Sequence, residues 1–323
     1  MVNEQVRLAK PLQGKADSRV WVADQLDWKK QVVVKFFAPE PPTDDVDALV
    51  GLVEKVADAA QVELPHAVQT FEHALSDDGT PYVLMELLAG ESLDARLKNG
   101  KLRVREAGEI VAQVAATLAK AHAAGISHFH LEPANIFLCK SSKGTDVKVL
   151  NFGLGGLRPA PRTWPYISPE QYLNRVVDHR TDLWSLGEIA YEMVSGRHPF
   201  DADKRRRLKW VFTAPSELWI AGLPEAVDQW FNRALAPKSE KRFQSALEMA
   251  SAFAAFLPGM ELALEGKEPA KAAVGEHKVI AVGEPSSRAA APKPEPESWP
   301  DDDDAEIVVG DGDEEPVSID VEE

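Results

Sequence analysis

Three observations predict an α+β fold in two parts followed by a tail. Short β-branched and aromatic runs dominate residues 1 to 86, and helical apolar spacing dominates residues 87 to 257. From residue 258 onward the composition turns to proline, alanine and acid. A chain of 323 residues with 44% apolar content has room for a small strand-rich lobe, a larger helical lobe and a segment outside both.

In the first part, Val20-Trp21-Val22-Ala23 and Gln31-Val32-Val33-Val34-Lys35-Phe36-Phe37 read as strands on either side of a polar turn from Asp24 to Lys30. A helical stretch follows from Val46 to Ala60. Tyr82-Val83-Leu84-Met85-Glu86, after the Asp78–Pro81 turn, reads as the last strand of this lobe.

In the second part, Ala107, Ile110, Val111, Val114, Ala115, Leu118 and Ala121 recur at helical spacing, so a long helix with one buried face follows Arg105. Gly125-Ile126 marks its end. Near the end of this part, Ser245 and Glu248 have the spacing of a capping box, opening a last helix with apolar positions Leu247, Ala250, Phe253 and Leu257.

The net charge of −16 is concentrated in the tail. From residue 258 there are 19 acidic and 5 basic side chains, which leaves the lobes near neutral and argues against a nucleic-acid surface. A single cysteine, Cys139, excludes an internal disulfide and points to a reducing compartment. MVNEQVRLAK lacks the apolar core of a signal peptide, and no run of eighteen apolar residues occurs, so a soluble cytoplasmic protein without a membrane span is expected. The tail cannot bury enough apolar surface to fold and is expected to be disordered. Its β-branched clusters at residues 278 to 282, 307 to 309 and 317 to 321 read either as strands offered to a partner's sheet edge or as incidental valines.

The informative stretch is residues 128 to 153. His128-Phe129-His130-Leu131-Glu132-Pro133-Ala134-Asn135, followed by Asn151-Phe152-Gly153, resembles the HRDLKPxN catalytic loop and DFG metal loop of the protein kinase family. Tyr166-Ile167-Ser168-Pro169-Glu170, Asp182-Leu183-Trp184-Ser185-Leu186-Gly187 and Gly196-Arg197-His198-Pro199-Phe200 resemble the family's APE, DxWSxG and GxxPF segments. Arg242 falls where the family keeps an arginine paired with the APE glutamate, here Glu170. The resemblance runs from residue 8 to 257 and is closest to bacterial serine/threonine kinases. It implies a bilobal kinase-like fold, with residues 1 to 86 as N-lobe, 87 to 257 as C-lobe and 258 to 323 as tail.

The departures imply a changed chemistry. His130 stands at the place of the catalytic Asp, Glu132 at the place of the catalytic-loop Lys, and Asn151 at the place of the DFG Asp, while Asn135 is retained. A unit charge at ~4 Å and an effective dielectric of ~20 is worth roughly 4 kcal/mol. Reversing its sign at Glu132 approaches twice that before screening, and each ~1.4 kcal/mol is a factor of ten in rate. Asn151 is a neutral ligand for a hard cation. His130 can accept a proton near neutral pH, which replaces the base but neither the metal nor the charge. Phe129 replaces the arginine that orders a phosphorylated activation loop, and Thr163 is the one threonine from Leu154 to Ser168.

By the same resemblance, Lys35 matches the ATP-contacting lysine and Glu54 the helix glutamate that pairs with it, although an ordinary Lys–Glu surface pair remains open. Met85 occupies the gatekeeper place and Glu86 to Leu88 the adenine hinge; apolar packing explains Val83 and Met85 equally well. Gln13, Lys15 and Ser18 stand where three phosphate-covering glycines belong, with Gly14 displaced by one. A Cβ there blocks close approach of backbone to phosphate.

His122, His128 and His130 invite a metal reading, but no carboxylate or cysteine completes a ligand set by spacing, so no metal site is expected. Lys204-Arg205-Arg206-Arg207 reads as a solvated run or a docking site for an acidic segment. The expected function is a pseudokinase, a regulatory or scaffolding module that holds protein partners through its C-lobe and tail, with weak ATP binding and doubtful Mg²⁺. The alternatives are a weakly active serine/threonine kinase using His130, Lys35 and Asn135, or another transfer chemistry in the same cleft.

Overall fold

The computed structural model describes residues 2–12, 19–36, 50–51, 53–54, 57, 60–141, 144–152, 165–200, 210–218, 224 and 227–257. Gly14 with its flanking Gln13, Lys15 and Ser18, the Thr163 loop, the basic run from Lys204 and the tail lie outside the described residues. Two compact units emerge: residues up to 36 with 70–87 form the first, and the other described residues form the second. The chain is therefore α+β, one unit built on a sheet and the other mainly on helices.

The first unit is a five-stranded antiparallel sheet. Its strands β1 (Val6–Pro11), β2 (Val20–Gln25), β3 (Lys30–Phe36), β4 (Thr70–Leu75) and β5 (Pro81–Glu86) lie in the order β1-β2-β3-β5-β4. Val6, Ala23, Val32, Val34, Tyr82 and Leu84 form its core. Val22, Val33, Val83 and Met85, which alternate with these along the strands, are buried too. Burial on both faces explains why the sequence runs apolar without alternation here.

In the second unit a short three-stranded sheet precedes and follows the first helices: β6 (Gly90–Ser92), β7 (Ile136–Ser141) and β8 (Gly144–Val149), in the order β6-β7-β8. Gly90 has φ of 155°, and a Cβ there would lie 2.0 Å from the Leu138 carbonyl oxygen, so β6 can approach β7 only through glycine. The outer side of β8 is satisfied by the Gln113 side chain, whose Nε2 donates to the Thr145 carbonyl (3.1 Å) and whose Oε1 accepts from Val147 N–H (2.9 Å). One carboxamide thus substitutes for part of a neighbouring strand.

The helices are α1 (Leu93–Leu97), α2 (Val104–Ala123), α3 (Pro169–Tyr172), α4 (Arg180–Ser195), α5 (Val227–Ala234) and α6 (Ala246–Ala254). Every expected apolar position of α2 is fully buried. Its end is a Schellman motif: Gly125, in the left-handed region at φ 75°, donates to His122 O at 3.0 Å, and Ile126 N–H to Ala121 O at 2.9 Å. Helix α4 is buried on nearly every side, as expected of a helix at the centre of its unit. Its Trp184 stacks on Phe200 at 5.4 Å and meets Trp210 edge-on at 5.3 Å, which anchors the GxxPF segment.

Two expectations for α6 need correction. Ser245 does cap the helix, its Oγ accepting from Glu248 N–H, but the Glu248 carboxylate accepts from Gln244 N–H rather than Ser245 N–H, so the box does not close. Leu247 is 39% exposed, and the inward positions are Ala246, Met249, Ala250 and Phe253. The described helical residues near position 54, which are 50, 51, 53, 54, 57, 60 and 61, fall within the second unit.

Candidate active site

The Schellman turn ending α2 releases the chain into an extended segment that the buried Asp182 holds from beneath. Asp182 sits in the first turn of α4 and is 0% exposed. Its Oδ2 accepts from His128 N–H at 2.8 Å and from the His122 ring at 2.8 Å, and its Oδ1 accepts from Phe129 N–H at 2.7 Å. A buried carboxylate with three donors is compensated, and it fixes two consecutive peptide units. Phe129 is held at φ 57°, a costly conformation for a bulky residue, and its carbonyl accepts from Gln171 Nε2 at 2.9 Å. Gln171 in turn belongs to the capping box of α3, so the loop is tied to the segment that follows it in the chain.

His128 is fully buried and neutral. Burial pushes its pKa below 6.5, Nε2–H donates to the Leu150 carbonyl at 2.8 Å, and Nδ1 accepts from His130 N–H at 3.3 Å. Its ring packs edge-on against Phe152 at 4.9 Å. Both ring nitrogens are therefore committed to loop structure. Among the described residues no group of three His, Cys, Asp or Glu is placed to hold a metal ion.

A short turn at Pro133–Asn135 brings Asn135 back under the loop. Asn135 is 6% exposed; its Nδ2 donates to the His130 carbonyl at 2.8 Å and lies 3.5 Å from Glu132 Oε1. Its Oδ1 accepts from Asn151 Nδ2 at 2.5 Å, across from the far end of β8. Asn151 adopts φ 68°, a left-handed conformation that asparagine tolerates well. The structure thus brings together His130, Glu132, Asn135 and Asn151. One carboxylate and two carboxamides face each other, and the oxygen of one carboxamide is occupied by the amide of the other.

The other expected site residues are distributed over both units. Lys35 lies half-buried in β3, opposite Val20 of β2 and Val83 of β5. Met85 is buried opposite Val33, and Glu86, half-buried, closes β5 opposite Val32. Leu88 is half-buried where the chain re-enters the second unit, and Glu54 is exposed in that unit.

Sequence reasoning did not assign Asp182 its hold on the loop, nor Gln171 and Gln113 their bonds. The DxWSxG match was the available signal for Asp182; nothing local marked the two glutamines. The expected Arg242–Glu170 pair is present and bidentate, at 2.8 and 2.7 Å.

Comparison with known proteins gives the family. The protein kinase domain family matches residues 16–249. Among curated proteins, the chain is 30% identical over 283 residues to the serine/threonine-protein kinase pkn2 of Myxococcus xanthus, covering 79% of this chain and 33% of that protein. It is 29% identical over 255 residues to a probable serine/threonine-protein kinase PknB of Bifidobacterium longum, covering 71% and 36%. It is 33% identical over 217 residues to the serine/threonine-protein kinase PksC of Streptomyces coelicolor, covering 61% and 38%. The chain spans about a third of the length of the relatives it matches.

Proposed function

Because this chain belongs to the protein kinase family, we propose that it acts as a pseudokinase, a regulatory or scaffolding module whose phosphotransfer chemistry is impaired. The observation that carries the reading is the bond between Asn135 and Asn151. In the family these two places hold the metal, one of them with a carboxylate. Here both are neutral amides, and the Asn135 oxygen that a cation would take accepts the Asn151 amide instead. Mg²⁺ favours charged oxygen, so this donor set fits it poorly. Glu132 adds negative charge at the place where the family positions a lysine.

In this reading ATP binds through Lys35 and the end of β5, weakly and with little dependence on Mg²⁺. Protein partners are then held by the helical unit and the acidic segment, in a cytoplasmic setting; the lobes' near-neutral charge argues against nucleic acid. Among the described residues no helix is long and apolar enough to cross a membrane.

A second reading is a weakly active serine/threonine kinase. It is favoured by the names of the relatives and by the retention of Lys35 and Asn135, with His130 as base. Incubation with Mg²⁺-ATP and a mixed serine/threonine peptide set separates the two. The pseudokinase reading expects no labelling above background and a nucleotide-induced thermal shift that is the same with and without Mg²⁺. Labelling at ordinary kinase rates that Lys35→Ala abolishes overturns it. The triple change His130→Asp, Glu132→Lys, Asn151→Asp is expected to make nucleotide binding Mg²⁺-dependent.

A further inference from the structure

A cavity of about 310 Å³ lies in the second unit between α2, the start of α4 and the start of α6. Ala119, His122, Ala123, His179, Gln244 and Leu247 are among its lining residues. Two histidines that the proposed function does not use meet in it. His122 comes from the last turn of α2 and its side chain is 9% exposed; His179 is the residue that leads into α4.

One nitrogen of each ring is committed, and both commitments leave the other nitrogen as a metal ligand. His122 Nε2–H donates to the buried Asp182 carboxylate at 2.8 Å, and His179 Nε2–H to the Gln244 carbonyl at 3.1 Å. In a neutral ring an acceptor on Nε2 leaves the lone pair on Nδ1, and a carboxylate or carbonyl in that place is the usual support of a metal-bound histidine. Neither Nδ1 has a hydrogen-bond partner among the described residues. The ring centroids are 5.1 Å apart, with the planes tilted by 59°. Two imidazoles on one tetrahedral ion, each nitrogen ~2.0–2.1 Å from it, bring their centroids to about 5 Å.

We infer that the Nδ1 atoms of His122 and His179 hold one divalent transition ion of the Zn²⁺ or Cu²⁺ kind, with water in the cavity completing its coordination. Imidazole nitrogen without further carboxylate selects such an ion over Mg²⁺ or Ca²⁺. The charges nearby allow a cation. Asp182 stands behind His122, and Arg180, which reaches Gln244 Oε1 at 3.2 Å, is paired with Asp178 at 2.6 Å. Lys120 is exposed. An ion on Nδ1 makes Nε2–H a stronger donor to Asp182, and that carboxylate also accepts from the His128 and Phe129 amides. The ion is thus a brace for the loop, and it is independent of the pseudokinase reading, which concerns the Asn135–Asn151 side of the same loop.

Calorimetric titration of the untagged, chelator-stripped full chain with ZnCl₂ tests the inference. Carboxylates elsewhere take divalent ions weakly, so the decisive quantity is the difference between wild type and His179→Ala. The wild type is expected to bind one Zn²⁺ per chain more tightly than any other, and to gain thermal stability from it. His179→Ala and His122→Asn are each expected to weaken that step at least tenfold. Because both ligands serve one ion, the double variant is expected to be no weaker than the poorer single variant. Electron paramagnetic resonance of the Cu²⁺-loaded chain is expected to show nitrogen ligands that His179→Ala reduces in number. Should His122→Asn fail to fold, His179→Ala and His179→Gln decide alone. Equal Zn²⁺ affinity in wild type and His179→Ala overturns the inference, as does a Cu²⁺ spectrum that His179→Ala leaves unchanged.

Discussion

Asn151 donates its side-chain amide to the carboxamide oxygen of Asn135, so the two residues at the metal-holding places of a kinase bind each other. Replacing Asn151 by Asp sets a carboxylate against that oxygen. Asn135 cannot simply turn over, because its Nδ2 donates to the His130 carbonyl. In the absence of a divalent cation, Asn151→Asp is expected to cost about 1–3 kcal/mol, and millimolar MgCl₂ to recover most of it. Wild-type thermal unfolding should not respond to Mg²⁺. Equal Mg²⁺ responses in the two proteins would contradict the assignment.

Arg242 is 1% exposed and spends its guanidinium on five acceptors: both Glu170 oxygens and the carbonyls of Ala236, Pro237 and Arg180. Arg242→Ala leaves the half-buried Glu170 carboxylate without its cation, although the Thr181 hydroxyl still donates to it at 2.7 Å, and is expected to lower unfolding free energy by about 3 kcal/mol in denaturant titrations. Lysine cannot reproduce the fork, so Arg242→Lys is expected to recover less than half of that loss.

The pH dependence of stability follows from His128. Burial lowers its pKa in the folded chain below 6.5, so the unfolded chain binds the proton more readily. Stability is then complete above the unfolded value and falls as pH drops below about 6.5 toward the folded value. Glu170 acts in the same direction at lower pH. Burial raises its carboxyl, but the Arg242 bonds and charge outweigh that and hold it below 4.5, so its contribution is lost as pH falls through the folded value. His128→Gln keeps a donor for Leu150 O and removes the first of these titrations. The midpoint of thermal unfolding, followed from pH 7.5 to 5.5, is expected to decline in wild type and to stay flatter in His128→Gln.

Gln113 is the sole side chain that closes part of the β8 edge from α2 among the described residues. Gln113→Ala is expected to cost about 1–2 kcal/mol and to speed amide exchange at Val147 selectively. Gln113→Glu keeps the acceptor for Val147 N–H but sets an oxygen against Thr145 O, so it should not restore stability.

The long helix α2 was legible because its buried face repeats over twenty residues, β3 because three consecutive valines favour a strand, and β5 because its apolar run from Tyr82 to Met85 follows a turn. Strands β1, β4, β6, β7 and β8 escaped notice. Their polar members, such as Glu72, His73 and Lys148, are accommodated by neighbours rather than by alternation. Leu247 misled because helical spacing alone does not say which of two apolar stripes faces inward.

By itself the sequence determined which charges occupy the catalytic places: substitution at 130, 132 and 151 is a matter of residue identity, and no folding can return a carboxylate to Asn151. It also determined the family, through motifs spread in order over most of the chain. What only the tertiary structure decided is how those substituted groups satisfy one another. Asp182 lies more than fifty residues from the loop it clamps, and Asn151 sixteen from the oxygen it occupies. Hydrogen bonds depend on distances of ~3 Å and on direction. No pattern of spacing along the chain carries that information until the helices and strands have packed.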